Sequence, residues 1–328
     1  MEAYIMERKI TQPTFLDNLT ADLGGKRTAK FFEKCNELIP WSELAEPLKD
    51  MYCNNTSKGG ASNYSVVMMI KCMMLQKWFN LSDPMLEEML YDRISFRKFI
   101  GLTIEDKTPD ETTFVEFRKR LRKHGHILTL FDKTIEILKS KGVILEQGTC
   151  VDATIIEAPK GRKAKDGISS TKQRGSSYTK KHGRTYHGYK AHIATDTNGM
   201  IKDYRFGTAR THDSVHMDDL IENETNSVFA DSAYMDKKRK EKLEKQGIFC
   251  GIVYRRVRGQ KKLTPEQKRH NRLVAGIRAV VEHPFAWMKN TGYRTVRYRG
   301  LSRNGLDFGL HAIAYNFKRS FSLLKAVP

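Results

Sequence analysis

The hydrophobic period changes once along this chain, near Gly148, and that change limits the folds open to it more than any other feature. Ahead of Gly148, apolar residues recur at helical spacing over 41–52, 64–79, 84–91, 111–123 and 127–141. Ser82 before Asp83 and Pro84, and Thr108 before Pro109, mark helix starts. Beyond Gly148, runs rich in β-branched and aromatic residues at 150–156, 186–195 and 201–208 predict strands, with Thr197, Asn198 and Gly199 turning the last two into a hairpin. A short helix at 213–221, a strand at 227–230, a basic helix at 235–245, a strand at 248–254 and a long helix from Thr264 follow. Three antiparallel strands and then alternating helix and strand predict an α/β fold, a mixed sheet flanked by helices, behind an all-α N-terminal domain. The domains are expected at 1–145 and 146–328, and no internal repeat is found.

The 328 residues suffice for two domains. Their charge is partitioned unevenly. Of 58 Lys and Arg against 38 Asp and Glu, residues 1–150 hold 22 and 21, the remainder 36 and 17. The whole excess of +20 therefore sits almost entirely in the α/β half, which implies a polyanionic partner there. An acid/base glycosidase also uses paired carboxylates, but this balance excludes a carbohydrate partner. Within that half, 160–184 carries nine Lys or Arg and one Asp among Gly and Ser. Such a segment cannot build a packed core; it is either a solvated linker or an arm ordered by DNA. Cys35, Cys53, Cys72, Cys150 and Cys250 form no CxxC pair and leave an odd thiol, against a disulfide framework or a zinc ribbon and in favour of a reducing cytosol. The apolar run 66–70 is cut by Lys71, and no signal-peptide pattern precedes it.

Three acids stand out. Asp152 lies inside VDATII, a strand apolar enough to be buried on both faces, where a charge is costly unless paired or metal-bound. Asp231 directly follows the SVFA strand, at the carboxyl end where such sheets place their sites. Glu282 is on the long helix, with Arg278 about 40° and Lys289 about 20° from it around the axis. An apolar stripe of Val274, Ile277, Val281, Phe285 and Met288 runs roughly a quarter-turn away. Singly, Asp231 reads equally as a cap, and Arg278 with Glu282 as an i, i+4 surface pair. Together, three acids on two strands and one helix can converge on two Mg²⁺ ions about 4 Å apart, with Mn²⁺ as a substitute, for in-line phosphoryl displacement. Pro284 predicts a kink just after Glu282. His283 is expected to be structural or to support Glu282, while His187 and His192, five apart on a strand, face opposite ways and share no metal.

Candidate DNA contacts are Lys180, Lys181, Arg184 and Lys190 around the basic segment, and Arg255, Arg256 and Arg258 in a loop suited to backbone positioning. Arg294, Arg297, Arg299 and Arg303 alternate with Tyr293 and Tyr298, as suits an unstacked DNA end or a solvated loop with buried tyrosines. The stretch 82–121 reads as a helix-turn-helix that brings Arg118, Lys119, Arg120, Arg122 and Lys123 to DNA, or as a packing bundle.

Nearly the whole chain resembles the DDE transposases of bacterial insertion sequences, specifically the insertion-sequence-five family. The blocks that carry the resemblance are LQKWFNLSD, PDETTFVEFRKRL, VDATIIEAP, YHGYKAHIATD, TARTHD, FADSAY and IRAVVEHPF with Lys289, in that order. The resemblance implies an RNase H-like catalytic domain in which Asp152, Asp231 and Glu282 bind the metal, and Arg278 and Lys289 complete an Arg-x3-Glu-x6-Lys signature. Where relatives often carry Tyr three residues before that Arg, this chain has Ala275. The activity implied is cleavage at the ends of an insertion sequence and joining of its 3′-OH to target DNA, by a dimer on the terminal inverted repeats, in the bacterial cytoplasm at the nucleoid. An inactive DNA-binding derivative, or a nuclease without strand transfer, would share these blocks.

Overall fold

The computed structural model describes residues 8, 11–12, 26–52, 62–123, 125–161, 173–181, 183–256 and 259–324, which gather into two compact units, 1–137 and 138–328. In the first lie helices α1 (Lys26–Leu38), α2 (Trp41–Ala45), α3 (Val66–Phe79), α4 (Asp83–Asp92), α5 (Ile94–Ile100) and α6 (Glu111–Lys123); α7 (His126–Ser140) runs across the boundary. Helix α3, VVMMIKCMMLQKWF, is apolar all round, a composition stable only when buried on every side. Ser65 caps it through a 3.2 Å bond from the Met68 amide, and Asn80, at φ 57°, ends it. The helix expected over 41–52 is instead α2 followed by a 3-10 turn, Glu46–Met51, because Pro47 lacks the N–H that would continue the ladder. Ser82 caps α4 as expected, accepting from the Met85 amide at 3.3 Å. Thr108 does not cap α6. Asp110 does, accepting from the Thr113 amide at 2.7 Å.

The second unit holds a six-stranded mixed sheet of β1 (Thr149–Glu157), β2 (Ser177–Lys181), β3 (Arg184–Thr195), β4 (Ile201–Thr208), β5 (Ser227–Ala230) and β6 (Phe249–Ile252). Its order is β2-β3-β1-β5-β6, with β4 also on β3. β3 is antiparallel to β1, β2 and β4, whereas β1, β5 and β6 run parallel. The turn between β3 and β4 is held by buried Asp196, whose carboxylate accepts amides of Leu145, Asn198 and Met200 at 2.8–2.9 Å. One face of the sheet packs Val151, Ala194 and Ala230 on α8 (Met217–Leu220) and α9 (Lys237–Lys245). The other carries α10 (Pro265–Arg278), α11 (Glu282–Asn290) and α12 (Leu301–Leu324), with Phe308 against Tyr204 and Phe206. The 160–184 segment is not all coil: β2 lies within it. Its residues 162–172 and 182 fall outside the described residues.

The long helix expected from Thr264 is broken before Glu282, not after it. A 3-10 turn, Ala279–Val281, separates α10 from α11. Pro284 sits in the first turn of α11, where a missing N–H leaves no bond unmade, so the interruption moves into the preceding turn. Of the expected apolar stripe, Val274, Val281, Phe285 and Met288 are buried; Ile277 is 40% exposed.

Candidate active site

Three physical facts bring the expected residues together. First, β1 and β5 pair in parallel with Val151 opposite Ala230, and Asp231 continues β5 in extended conformation. The next step of that register sets Asp152 beside Asp231, on neighbouring strands about 4.8 Å apart. Second, side chains alternate along a strand, so Asp152 shares a face with Cys150, whose Sγ lies 3.7 Å from the Ile277 carbonyl on α10. That face is therefore the one under α10 and α11. Third, Glu157 and Thr295 form a bridge, with the Glu157 amide 3.1 Å from the Arg294 carbonyl, which draws the basic loop after α11 to the end of β1.

The electrostatics agree with this placement. Burial pushes the Asp152 carboxyl up to about 6 and the neighbouring Asp231 charge adds to it, against the lowering effects of the Ala153 amide, Arg278 and Lys181. The residue as a whole is half-buried rather than enclosed on both faces. Lys289 is held below the ordinary lysine range by the protein around its ammonium and by the Lys181 and Arg294 charges, with Asp152 opposing. Asp152 thus lies within electrostatic reach of Arg278, Lys181 and Lys289, and Lys289 within reach of Lys181 and Arg294. Glu282 joins at one remove, 3.9 Å from Arg278 Nη2 and largely exposed. His283 lies over the β3–β4 turn, where a Cβ on Gly199 would come 3.7 Å from its Nδ1.

Paired carboxylate oxygens at the mouth of a sheet fit a hard divalent cation, and Mg²⁺ needs only one or two protein carboxylates because it keeps waters and takes phosphate oxygens. Asp152 and Asp231 supply that much. Among the described residues no three His, Cys, Asp or Glu side chains are grouped closely enough to hold a metal ion, so the structure does not bring Glu282 into a three-acid cluster.

The remaining candidates divide. Lys180, Lys181, Arg184, Arg255, Arg256, Arg294, Arg297 and Arg299 are exposed; Arg258 lies outside the described residues. Lys190 is buried, 2.9 Å from Asp213 and 2.7 Å from the Thr211 carbonyl, so its ammonium braces a loop instead of facing solvent. Tyr293 is buried and stacked on His311 at 4.0 Å, which removes it from any role in holding a base. In the helical unit, Arg118 is buried in a bidentate pair with Asp83, and Arg120 covers the Tyr52 ring at 4.8 Å, so neither is presented to a groove. His187 bonds the Ala158 carbonyl at 3.0 Å; His192, on the sheet face opposite Asp152, stands 5.0 Å from the His216 ring, and burial holds it down at about 4.

One residue near the acids escaped the sequence reading. Tyr234 follows Asp231 by one 3-10 turn, is 1% exposed, and its hydroxyl has no hydrogen-bond partner. Three-residue spacing after a strand end was the only signal available, and it is too common to single out a residue.

Compared with known proteins, residues 145–317 match the family described as transposase DDE domain, and residues 22–120 match the family described as transposase domain (DUF772). No solved structure matches the chain. Among the described residues no helix is long and apolar enough to cross a membrane.

Proposed function

The chain belongs to the transposase DDE domain family, and from that premise we propose a transposase of the insertion-sequence-five type that cleaves DNA at the ends of its element and joins the freed 3′-OH to target DNA. The reading is supported by the parallel register that ends with Val151 opposite Ala230, the residues directly before Asp152 and Asp231, and by the cationic side chains whose charges act on Asp152 and Lys289. Lysines and arginines held so close repel one another, and a phosphodiester placed among them relieves that repulsion. The proposed roles follow from position. Asp152 and Asp231, joined by Glu282 once DNA is bound, hold the divalent ions, Mg²⁺ in the first instance. Arg278 and Lys289 neutralise charge on the scissile phosphate. Lys180, Lys181, Arg184, Arg255, Arg256, Arg294, Arg297 and Arg299 hold the backbone of the duplex. When bound, two such ions supply an activated water and neutralise the leaving oxygen.

The helical region, 1–145, is proposed to bind the terminal inverted repeats and assemble the dimer that pairs two ends, with 146–328 as the catalytic domain. The working compartment would be the bacterial nucleoid. Purified protein incubated with end DNA and Mg²⁺ should nick the strand at the element terminus and, given target DNA, yield joined product. Asp231→Ala should abolish both while retaining DNA binding. Cutting without joining would leave a nuclease, and binding without cutting an inactive derivative.

A further inference from the structure

The loop between α11 and α12 carries Arg294, Arg297 and Arg299, and its backbone is bonded at both ends. At its start the Arg294 carbonyl accepts the Glu157 amide at 3.1 Å and the Val296 amide donates to the Glu157 carbonyl at 2.9 Å, which hooks it to the end of β1. At its other end Asn304, fully buried in the first turn of α12, turns its whole amide to the loop. Its Nδ2 donates to the Tyr298 and Gly300 carbonyls, both at 2.8 Å, and its Oδ1 accepts the Tyr298 amide at 3.2 Å. Gln173 completes the set, its Oε1 accepting the Gly300 amide at 2.9 Å. Gln173 is itself fixed: the Tyr189 hydroxyl donates to the Arg174 carbonyl at 2.9 Å, and Gly175 lies so close to α12 that a Cβ there would stand 3.0 Å from the Leu301 Cβ. Arg299 thus stands between two residues whose amides and carbonyls are all engaged, while it is itself exposed. Joining two helices requires no such clamp, since surface loops are normally the more mobile part of a fold.

We propose that Asn304, helped by Gln173, is a positioning residue for DNA binding. It fixes the backbone that presents Arg297 and Arg299, so the entropy of ordering this loop is lost on folding and not on meeting phosphate. Preorganisation of this kind raises affinity without adding a contact. The inference rests on the reading of the chain as a DNA-binding transposase, and concerns how its arginines are held.

The test is a double-mutant cycle on affinity for duplex DNA, in the full-length chain. It compares wild type, Asn304→Ala, Gln173→Ala, the pair Arg297→Gln with Arg299→Gln, and each amide variant combined with that pair. Asn304→Ala should weaken binding roughly five- to tenfold and Gln173→Ala about two- to threefold, with the slope of log K against log salt within about half a unit of wild type, because the phosphates are still reached. The arginine pair should lower that slope by about two. Once both arginines are gone, neither amide substitution should weaken binding further. Losses that add in full across the cycle assign the amides to general stability and overturn the inference, as do amide variants that bind as tightly as wild type. An arginine pair without effect on affinity overturns it too, and in all three cases the transposase reading stands. Should thermal melting show that Asn304→Ala does not fold, the cycle on Gln173→Ala decides, because that residue is only half-buried and its loss removes a single bond to the loop. A wild type that binds no duplex sinks both.

Discussion

Asp152 is where burial, charge and chemistry meet. Its carboxyl is raised from the ordinary 3.8 to about 6. Between pH about 4 and 6 the folded chain keeps a proton that the unfolded chain has released, so rising pH favours unfolding through this group, and the loss is complete above about 6. Asp152→Asn has no such titration. Measured without divalent ions, the melting temperature of wild type relative to Asp152→Asn should therefore fall from pH 4 to 6 and then level. Two pH units correspond to about 3 kcal/mol, and solvent access to a half-buried group reduces this to on the order of 1–2 kcal/mol. A flat difference across that range would mean the carboxyl is not raised. Asp152 was legible in the sequence because an acid inside an apolar strand needs a reason, and Asp231 because it ends one. Tyr234 was not, since an aromatic residue after a strand looks like any core residue until its hydroxyl is found without a partner.

At the level of elements, the sheet is set by close backbone approaches as much as by apolar pairing. Gly188 lies where β3 passes from β1 to β2, opposite both Glu157 and Ser177. A Cβ there would stand 2.1 Å from the Ile156 carbonyl oxygen and 3.0 Å from the Ala158 amide nitrogen, and backbone atoms cannot rotate aside as a side chain would. Gly188→Ala should lower stability by about 2–3 kcal/mol or more, read as a fall in the denaturation midpoint. Gly207→Ala, with open space around its Cβ, should cost far less. Comparable losses in the two would show that the crossing is looser than it looks. Strands β1, β3, β4 and β5 were readable from β-branched runs. β2 was hidden because SYTKK is polar and sits in a charge-rich stretch; pairing to β3, a non-local effect, makes it a strand. The break before Glu282 was misplaced by one turn for a similar reason. Pro284 does interrupt the ladder, but a proline in a first turn is tolerated, and only the tertiary position of α11 decides on which side the interruption falls.

On the scale of the whole molecule, the uneven charge makes the strongest demand. If the proposed function holds, a near-neutral first half and a strongly basic second half put most phosphate contact on the second, and Arg118, buried against Asp83, and Lys119, paired with Glu116, are in keeping with that. Neither burial nor pairing could be seen in the row of basic residues 118–123, which read as a groove-facing helix because a charge run carries no record of its partners. Each phosphate that the protein neutralises releases counterion, and log K for duplex DNA should fall with log salt by roughly 0.9 per contact. Replacing Lys180, Lys181 and Arg184, or Arg294, Arg297 and Arg299, by Gln in the full-length chain should therefore lower that slope by about two to three units per triple variant. Replacing Lys119, Arg122 and Lys123 should shift it by less than one. These slopes are measured as DNA affinity over a range of salt concentrations, on element-end and unrelated duplexes alike. The opposite ranking would move the main phosphate-binding surface to the helical unit, and the basic half would then need another explanation for its charge.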